Sequence, residues 1–173
     1  MSRIFQPAPR TDNSHLAAAA LVFALAVVIF LPGLAAGAEM IASEGLTTEA
    51  IMSALEAAEI TVSQDEDGDA RVVIDERVFW MRGNQKQNTI YLLAVRSFVN
   101  QTPLGKKLLL ANSINNGLVV IRAYMNTKGD RLFLDLAFPT EAGISDRQIV
   151  NLAERFAKLL TAAYSKDVDR ILR

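Results

Sequence analysis

Residues 108–139, LLLANSINNGLVVIRAYMNTKGDRLFLDLAFP, decide the fold class of this 173-residue chain. The first part has a helical pattern and stops at residues 115–117, Asn-Asn-Gly, which accept the left-handed conformation that ends helices. Two apolar runs follow, at residues 118–126 and 131–138, joined by the turn TKGD. Alternate residues of the second run are apolar, as a half-buried strand requires: Leu132, Leu134, Leu136 and Phe138. A helix followed by a tight hairpin predicts an α+β domain with an antiparallel sheet.

The preceding part of the chain also begins with a helix and continues as strands. LTTEAIMSALEAAE at residues 46–59 predicts a helix capped by a threonine, at position 47 or 48. Residues 60–76 predict two short strands around an Asp-Gly turn at positions 67 and 68. Residues 77–99 contribute two further apolar runs, separated by a polar break at residues 83–88. The first of these runs could merge with the strand before it across residues 75–77.

Two further helix starts complete the order of elements. Thr102 and Pro103 predict the beginning of the second helix, because proline needs no N–H partner at the first helical position. Ser145 and Gln148 form a capping box for a last helix with one apolar stripe. The predicted order is α-β-β-β-(β)-α-β-β-α. We therefore expect an antiparallel sheet of about five strands, with helices packed mainly on one face.

Residues 1–38 predict a secretory signal peptide. A polar stretch with two arginines precedes an unbroken apolar run at residues 16–31, and Ala36 and Ala38 supply an A-x-A cleavage signal. As a helix the apolar run spans about 24 Å, less than the ~30 Å hydrocarbon core, which favours cleavage. Extension to Ala38 would make it long enough for an inner-membrane anchor, which is the alternative. We expect residues 39–173 to form one domain that is periplasmic or secreted, with membrane contact only through an uncleaved leader.

The side-chain inventory excludes several classes of chemistry. The chain has no cysteine, and its one histidine, His15, lies in the predicted leader. Ser-His and Cys-His catalysis are therefore excluded, as are zinc sites built from His or Cys. We expect no metal, no cofactor and no enzyme activity. The formal net charge of −1 lacks the basic excess of a surface that follows phosphates, so no nucleic-acid partner is expected.

Three polar features remain as candidates for a small-molecule site. DEDGDA at residues 65–70 resembles a calcium loop, but Gly68 stands fourth instead of sixth and no Glu occupies the twelfth place, so we expect a hairpin turn. Asn112 lies a turn inside the second helix and is a weak candidate for a ligand-facing amide. Asp135 lies mid-strand and is expected as a lone acid on a solvated sheet face. A cleft near Asn112 and Asp135 would support the alternative function, a small-ligand binder or minor hydrolase.

The alternation of the strands predicts a second apolar sheet face. If Leu132, Leu134 and Leu136 face the helices, Phe133 faces the other way, together with either the Ile90 set or the Tyr91 set of the preceding strand. Three helices cannot easily cover both faces, so the second face would be open unless the second helix covers it. Open apolar patches usually mark interfaces. The candidate partner-binding residues are Phe79, Trp80, Tyr91, Leu93 and Phe133; the adjacent Phe79 and Trp80 must point in opposite directions.

The chain resembles the YbjN family, whose fold is similar to that of type III secretion chaperones. The resemblance covers roughly residues 46–165 and rests on TTEAIMSALEAAEITVSQDEDGDA, LLANSINN, RAYMNTKGDRLFLDLAF and EAGISDRQIVNLAERF. None of these motifs is catalytic. The resemblance implies a chaperone-like or regulatory module that binds another protein or a second copy of itself. Many members lack a leader, so the predicted signal peptide is a departure from the family pattern.

Overall fold

A computed structural model of the protein describes residues 40–173. The predicted leader at residues 1–38 lies outside this range, so its cleavage stays a prediction. No helix within the described range is both long enough and apolar enough to cross a membrane.

The described chain contains three α-helices and eight strands. The helices are α1 (Thr48–Ala57), α2 (Leu104–Gly117) and α3 (Asp146–Tyr164). The strands are β1 (Met40–Ile41), β2 (Thr61–Gln64), β3 (Ala70–Ile74), β4 (Arg77–Asn84), β5 (Thr89–Ser97), β6 (Arg122–Met125), β7 (Arg131–Pro139) and β8 (Ile144–Ser145). Six strands form one antiparallel sheet in the order β2-β3-β4-β5-β7-β6, and β1 pairs separately with β8. The predicted α+β class and order of elements are confirmed, with six strands in the main sheet instead of about five.

The helix boundaries follow local capping chemistry. Thr47 caps α1 by accepting a hydrogen bond from the Ala50 N–H at 3.2 Å. Ser145 and Gln148 form the predicted capping box at the start of α3. The end of α2 differs from the prediction, because Gly117 stays helical and Leu118, with φ −133° and ψ 99°, ends the helix in an extended conformation. A left-handed cap is not needed where the chain turns directly toward β6.

Two turns set the boundaries of strands β2, β3 and β4. The β2–β3 hairpin closes at Gly68, with φ +84°, and its Asp65 carboxylate accepts the N–H groups of Asp67 and Asp69 at 3.1 and 2.9 Å. This confirms a hairpin turn there. Asp75 and Glu76 both have positive φ, 48° and 62°, which is the geometry of a two-residue hairpin turn. They separate β3 from β4, so the expected merger into one bent strand does not occur.

One face of the main sheet carries the hydrophobic core. The strand residues on this covered face pair across the sheet, for example Met81 with Leu92 and Leu92 with Leu136. Phe79 lies on the same face, with its ring centroid 5.2 Å from that of Phe156 on α3 in an edge-to-face arrangement. Burial of the apolar side chains between this face and the helices, mostly aliphatic and including Phe79 and Phe156, stabilises the fold.

Candidate functional site

The side of the sheet opposite the core forms a continuous surface that we call the open face. Its side chains alternate along each strand with those of the covered face. Strand pairing places them in rows across the sheet: Trp80 pairs with Leu93, and Leu93 with Asp135. All but one of these side chains are half-buried or exposed, whereas most of their neighbours toward the helices, such as Phe79, Leu92 and Leu134, are buried. The open face comprises Arg71, Val73, Val78, Trp80, Arg82, Tyr91, Leu93, Val95, Arg122, Tyr124, Arg131, Phe133, Asp135 and Ala137.

The structure brings four of the five partner-binding candidates onto this face. Trp80, Tyr91, Leu93 and Phe133 all belong to it. Phe79 does not, because adjacent strand residues point to opposite faces and Phe79, with 0% exposure, packs in the core. Phe79 is therefore a core residue of the folded domain and cannot serve as a surface anchor.

Asp135 is the exception on the open face, since it is only 3% exposed although no helix covers it. Arg122 donates to both of its carboxylate oxygens, from Nε at 3.0 Å and from Nη2 at 2.6 Å. The Tyr91 hydroxyl donates a third hydrogen bond at 2.5 Å. The expectation of a lone, solvated acid is wrong, because neighbouring strands supply a bidentate cation and a phenol that cover the carboxylate.

The electrostatics of this cluster keep Asp135 ionised. Burial alone would raise the pKa of Asp135, but the hydrogen bonds from Arg122 and Tyr91 outweigh it and hold that pKa below its usual value. Burial, together with the hydrogen bond to Asp135, raises the pKa of Tyr91. A general acid needs the opposite shift, toward a protonated carboxyl at neutral pH. The arrangement is therefore that of a structural ion pair.

Aromatic and cationic groups continue outward from the ion pair. The Arg122 guanidinium carbon lies 5.1 Å from the ring centroid of Tyr124, and Tyr124 stacks on Phe133 at 5.4 Å with an interplanar angle of 18°. On the other side of the ion pair, the guanidinium carbon of Arg82 lies 5.8 Å from the ring centroid of Tyr91. These contacts hold the long side chains of this part of the open face in defined orientations.

The weak ligand-binding candidates are not brought together. Asp135 lines a shallow cleft of about 280 Å³ with Tyr91, Arg122 and residues 119–121, and Asn112 is not among its lining residues. Asn112 is exposed on α2. A ligand site shared by Asn112 and Asp135 therefore has no support in the structure.

The asparagine with a defined role is Asn115. Its side-chain oxygen accepts the Ala123 N–H at 2.7 Å, and its amide donates to the Ala123 carbonyl at 2.9 Å. This amide thus occupies the outer edge of β6 as a neighbouring strand would, and it satisfies backbone groups of an edge strand.

We did not predict from the sequence that Tyr124 belongs to the open face or that Arg122 pairs with Asp135. Arg122 and Tyr124 are two residues apart, and this spacing could have indicated that they share one face of a strand. The cause is that β6 was expected to begin at Leu118, whereas the strand begins at Arg122 and Val119 is 97% exposed in the connection. The strand expected from the apolar run at residues 118–126 is therefore shorter and begins later.

Comparisons with known proteins support the fold. A family model named YbjN, "Putative bacterial sensory transduction regulator", matches residues 47–166. The crystal structure of YbjN from E. coli is 11% identical, with a TM-score of 0.60 over 72% of this chain and 94% of that chain. An uncharacterized protein from Methanothermobacter thermautotrophicus is 10% identical, with a TM-score of 0.54 over 73% and 99% of the two chains. At these identities the likeness concerns the fold alone.

A third structure is less similar. The Yersinia pestis type III secretion chaperone SycH, in complex with a fragment of YscM2, is 16% identical, with a TM-score of 0.47 over 69% of this chain and 98% of that chain. No curated protein matches the sequence.

Proposed function

Because the chain belongs to the YbjN family, we propose that it is a non-catalytic, regulatory or chaperone-like module that binds another protein through its open face. The single observation that carries this proposal is an uncovered sheet face with aromatic and aliphatic side chains at its centre: Trp80, Tyr91, Leu93 and Phe133. Large aromatic side chains held in place are the residue types that dominate binding energy at protein interfaces.

The charge of the open face indicates the chemistry of the partner. The open face carries four arginines, at positions 71, 82, 122 and 131, and Asp135, the only acid of its strands, is already paired with Arg122. Arg82 lies 3.6 Å from the Asp69 carboxylate, and Arg71 and Arg131 are in no ion pair of the described residues. A second copy of the same face would bring like charges together, which opposes association. We therefore propose a partner segment that combines apolar side chains with acidic ones.

Self-association would use a different surface. The outer side of α2 exposes Leu104, Leu108 and Leu109, which are 60%, 44% and 70% exposed. Of the two lysines between these leucines, Lys106 is paired with Asp169 at 3.1 Å and Lys107 donates to the Gly129 carbonyl at 2.6 Å. A homodimer formed through α2 would leave the open face free for the partner, so the two associations are compatible.

The site of action is proposed from the sequence of the N-terminal segment. A cleaved leader at residues 1–38 would place the domain in the periplasm or outside the cell, and a retained leader would tether it to the inner membrane. The N-terminal sequence of the exported protein distinguishes these cases, because cleavage after Ala38 yields a chain that begins at Glu39.

Photo-crosslinking in intact cells tests the open face directly. A benzophenone amino acid replaces Leu93 at the centre of the face and, as the matched control, the exposed Lys158 on α3. We expect one discrete adduct from position 93 and none from position 158, and mass spectrometry of the adduct identifies an acidic apolar segment. An adduct made of two copies of this chain, or equal adducts from both positions, would contradict the proposal.

A further inference from the structure

A separate cleft lies on the covered side of the main sheet, where β4 begins and β5 ends. The two strands pair from Asn84–Thr89 as far as Trp80–Leu93. Arg77 and Arg96 each stand three residues beyond that last pair, and a cleft of about 240 Å³ opens between them and the end of α3. Its lining residues, which define the arginine cleft, are Arg77, Arg96, Tyr164, Asp167, Leu172 and Arg173.

One aromatic ring holds two guanidinium groups in this cleft. The guanidinium carbon of Arg96 lies 5.0 Å from the ring centroid of Tyr164, and that of Arg77 lies 5.5 Å from it. The Nε–H of Arg77 also donates to the Thr161 hydroxyl at 3.1 Å. The ring and the hydroxyl therefore hold two like charges at the edge of the same small cleft, and each guanidinium fork has further N–H groups that can donate.

The arginine cleft carries more positive than negative charge, since its lining residues include three arginines and one carboxylate, Asp167. Arg77, Arg96 and Arg173 take part in none of the ion pairs in the described part of the chain. The lining carboxylate, Asp167, uses both oxygens to accept backbone N–H groups of residues 171–172, each at 2.9 Å. Arg77 and Arg96 both line one cleft, so an anion bound there would be stabilised by both charges.

We propose that the arginine cleft binds a phosphate group, free or as an ester. Guanidinium forks match phosphate oxygens in pairs, and a phosphate offers enough oxygens to engage Arg77 and Arg96 at once, whereas a carboxylate offers two. The cleft is smaller than the roughly 300–1,000 Å³ of pockets for drug-sized ligands. It therefore has room for a phosphate group and its first waters. This site is independent of the open face, which lies on the other side of the sheet.

Isothermal titration calorimetry with inorganic phosphate, at constant ionic strength set by sodium chloride, tests the site. We expect saturable binding to the wild-type chain and a loss of about tenfold or more in affinity for Arg96→Gln, because each fork contributes charge-assisted hydrogen bonds. The phosphate affinity of Arg96→Lys should lie between those of the wild type and Arg96→Gln, since an ammonium group is charged but lacks the two-pronged guanidinium geometry. Arg131→Gln, an exposed arginine of the open face, is the matched control and should bind phosphate as the wild type does.

Thermal unfolding provides a second readout that guards against misfolding. The side chain of Arg96 makes no hydrogen bond within residues 40–173, so Arg96→Gln should unfold at the wild-type temperature or higher without phosphate, and phosphate should raise only the wild-type temperature. Vesicles with phosphatidic acid that bind more tightly than inorganic phosphate would identify a lipid headgroup as the source, and equal affinity would identify a free anion. Non-saturable binding, equal affinity of the wild type and Arg96→Gln, or acetate binding as tightly as phosphate would overturn the proposal.

Discussion

The ion pair on the open face allows a prediction about stability with a characteristic asymmetry. Arg122→Ala leaves the carboxylate of Asp135, itself only 3% exposed, without its cation. Breaking a buried pair in this way costs about 3–5 kcal/mol. The side chain of Arg122 is 70% exposed, so water reaches the pair, and we expect a loss of about 2 kcal/mol in the free energy of unfolding.

The reverse substitution should be less harmful. Asp135→Leu removes the buried charge and leaves an exposed guanidinium that water can solvate, so we expect a loss of about 1 kcal/mol. Urea unfolding followed by the fluorescence of Trp80, the only tryptophan of the chain, measures both values. Arg131→Ala is the control, an exposed arginine on the same face without an ion pair.

The contribution of Asp135 to stability should depend on pH with opposite sign in the wild type and in Arg122→Ala. In the wild type the folded-state pKa of Asp135 is below its unfolded value, so its stabilising contribution is present above about pH 4 and is lost as the pH falls through the folded pKa. In Arg122→Ala, burial without the cation raises this pKa, so the penalty is present at neutral pH and is relieved on acidification toward about pH 4. The stability gap between the two proteins should therefore narrow from pH 7 to pH 4. A gap that is constant with pH, or a loss for Arg122→Ala no larger than for Arg131→Ala, would refute the reasoning.

Two further substitutions test the fold. Asn115→Ala removes the amide that bonds both backbone groups of Ala123, and we expect a loss of about 1–3 kcal/mol in urea unfolding together with faster amide exchange in β6; unchanged exchange at Ala123 would contradict this role. Gly83→Ala would place a Cβ 2.4 Å from the carbonyl oxygen of Leu46, so the chain before α1 must shift, and we expect a drop of several degrees in Tm. Gly105→Ala, with open space at its Cβ, is the matched control, and an equal change in both variants would refute the close contact.

Hydrophobic periodicity and helix-capping residues allowed most of the fold to be predicted from the sequence. The alternation from Leu132 to Phe138 and the capping box at Ser145 each act over a few residues, so the sequence alone reveals them. The turn at Asp75 and Glu76 could not be predicted, because positive φ at two adjacent acidic residues is imposed by the pairing of β3 with β4 and not by local preference.

The candidate site depended on contacts between distant parts of the chain. The alternation of side chains along β4 puts Phe79 and Trp80 on opposite faces but does not say which of the two faces the core. The register of β4 against β5 decides it. In the same way, Asp135 looked solvated because its partners, Arg122 and Tyr91, come from two other strands. Contacts between strands therefore determined the differences at Phe79 and Asp135, whereas the difference at β6 came from its later start at Arg122.

The affinity of the purified partner for this domain tests the central claim most directly. Once crosslinking at Leu93 has identified the partner, its dissociation constant is measured by calorimetry for the wild type, for Trp80→Ala and for the control Lys158→Ala. We predict that Trp80→Ala weakens binding by at least about thirtyfold, equivalent to about 2 kcal/mol, as loss of a central aromatic anchor does, and that Lys158→Ala binds as the wild type. Equal affinities for the wild type and Trp80→Ala would contradict the claim that the open face is the binding surface.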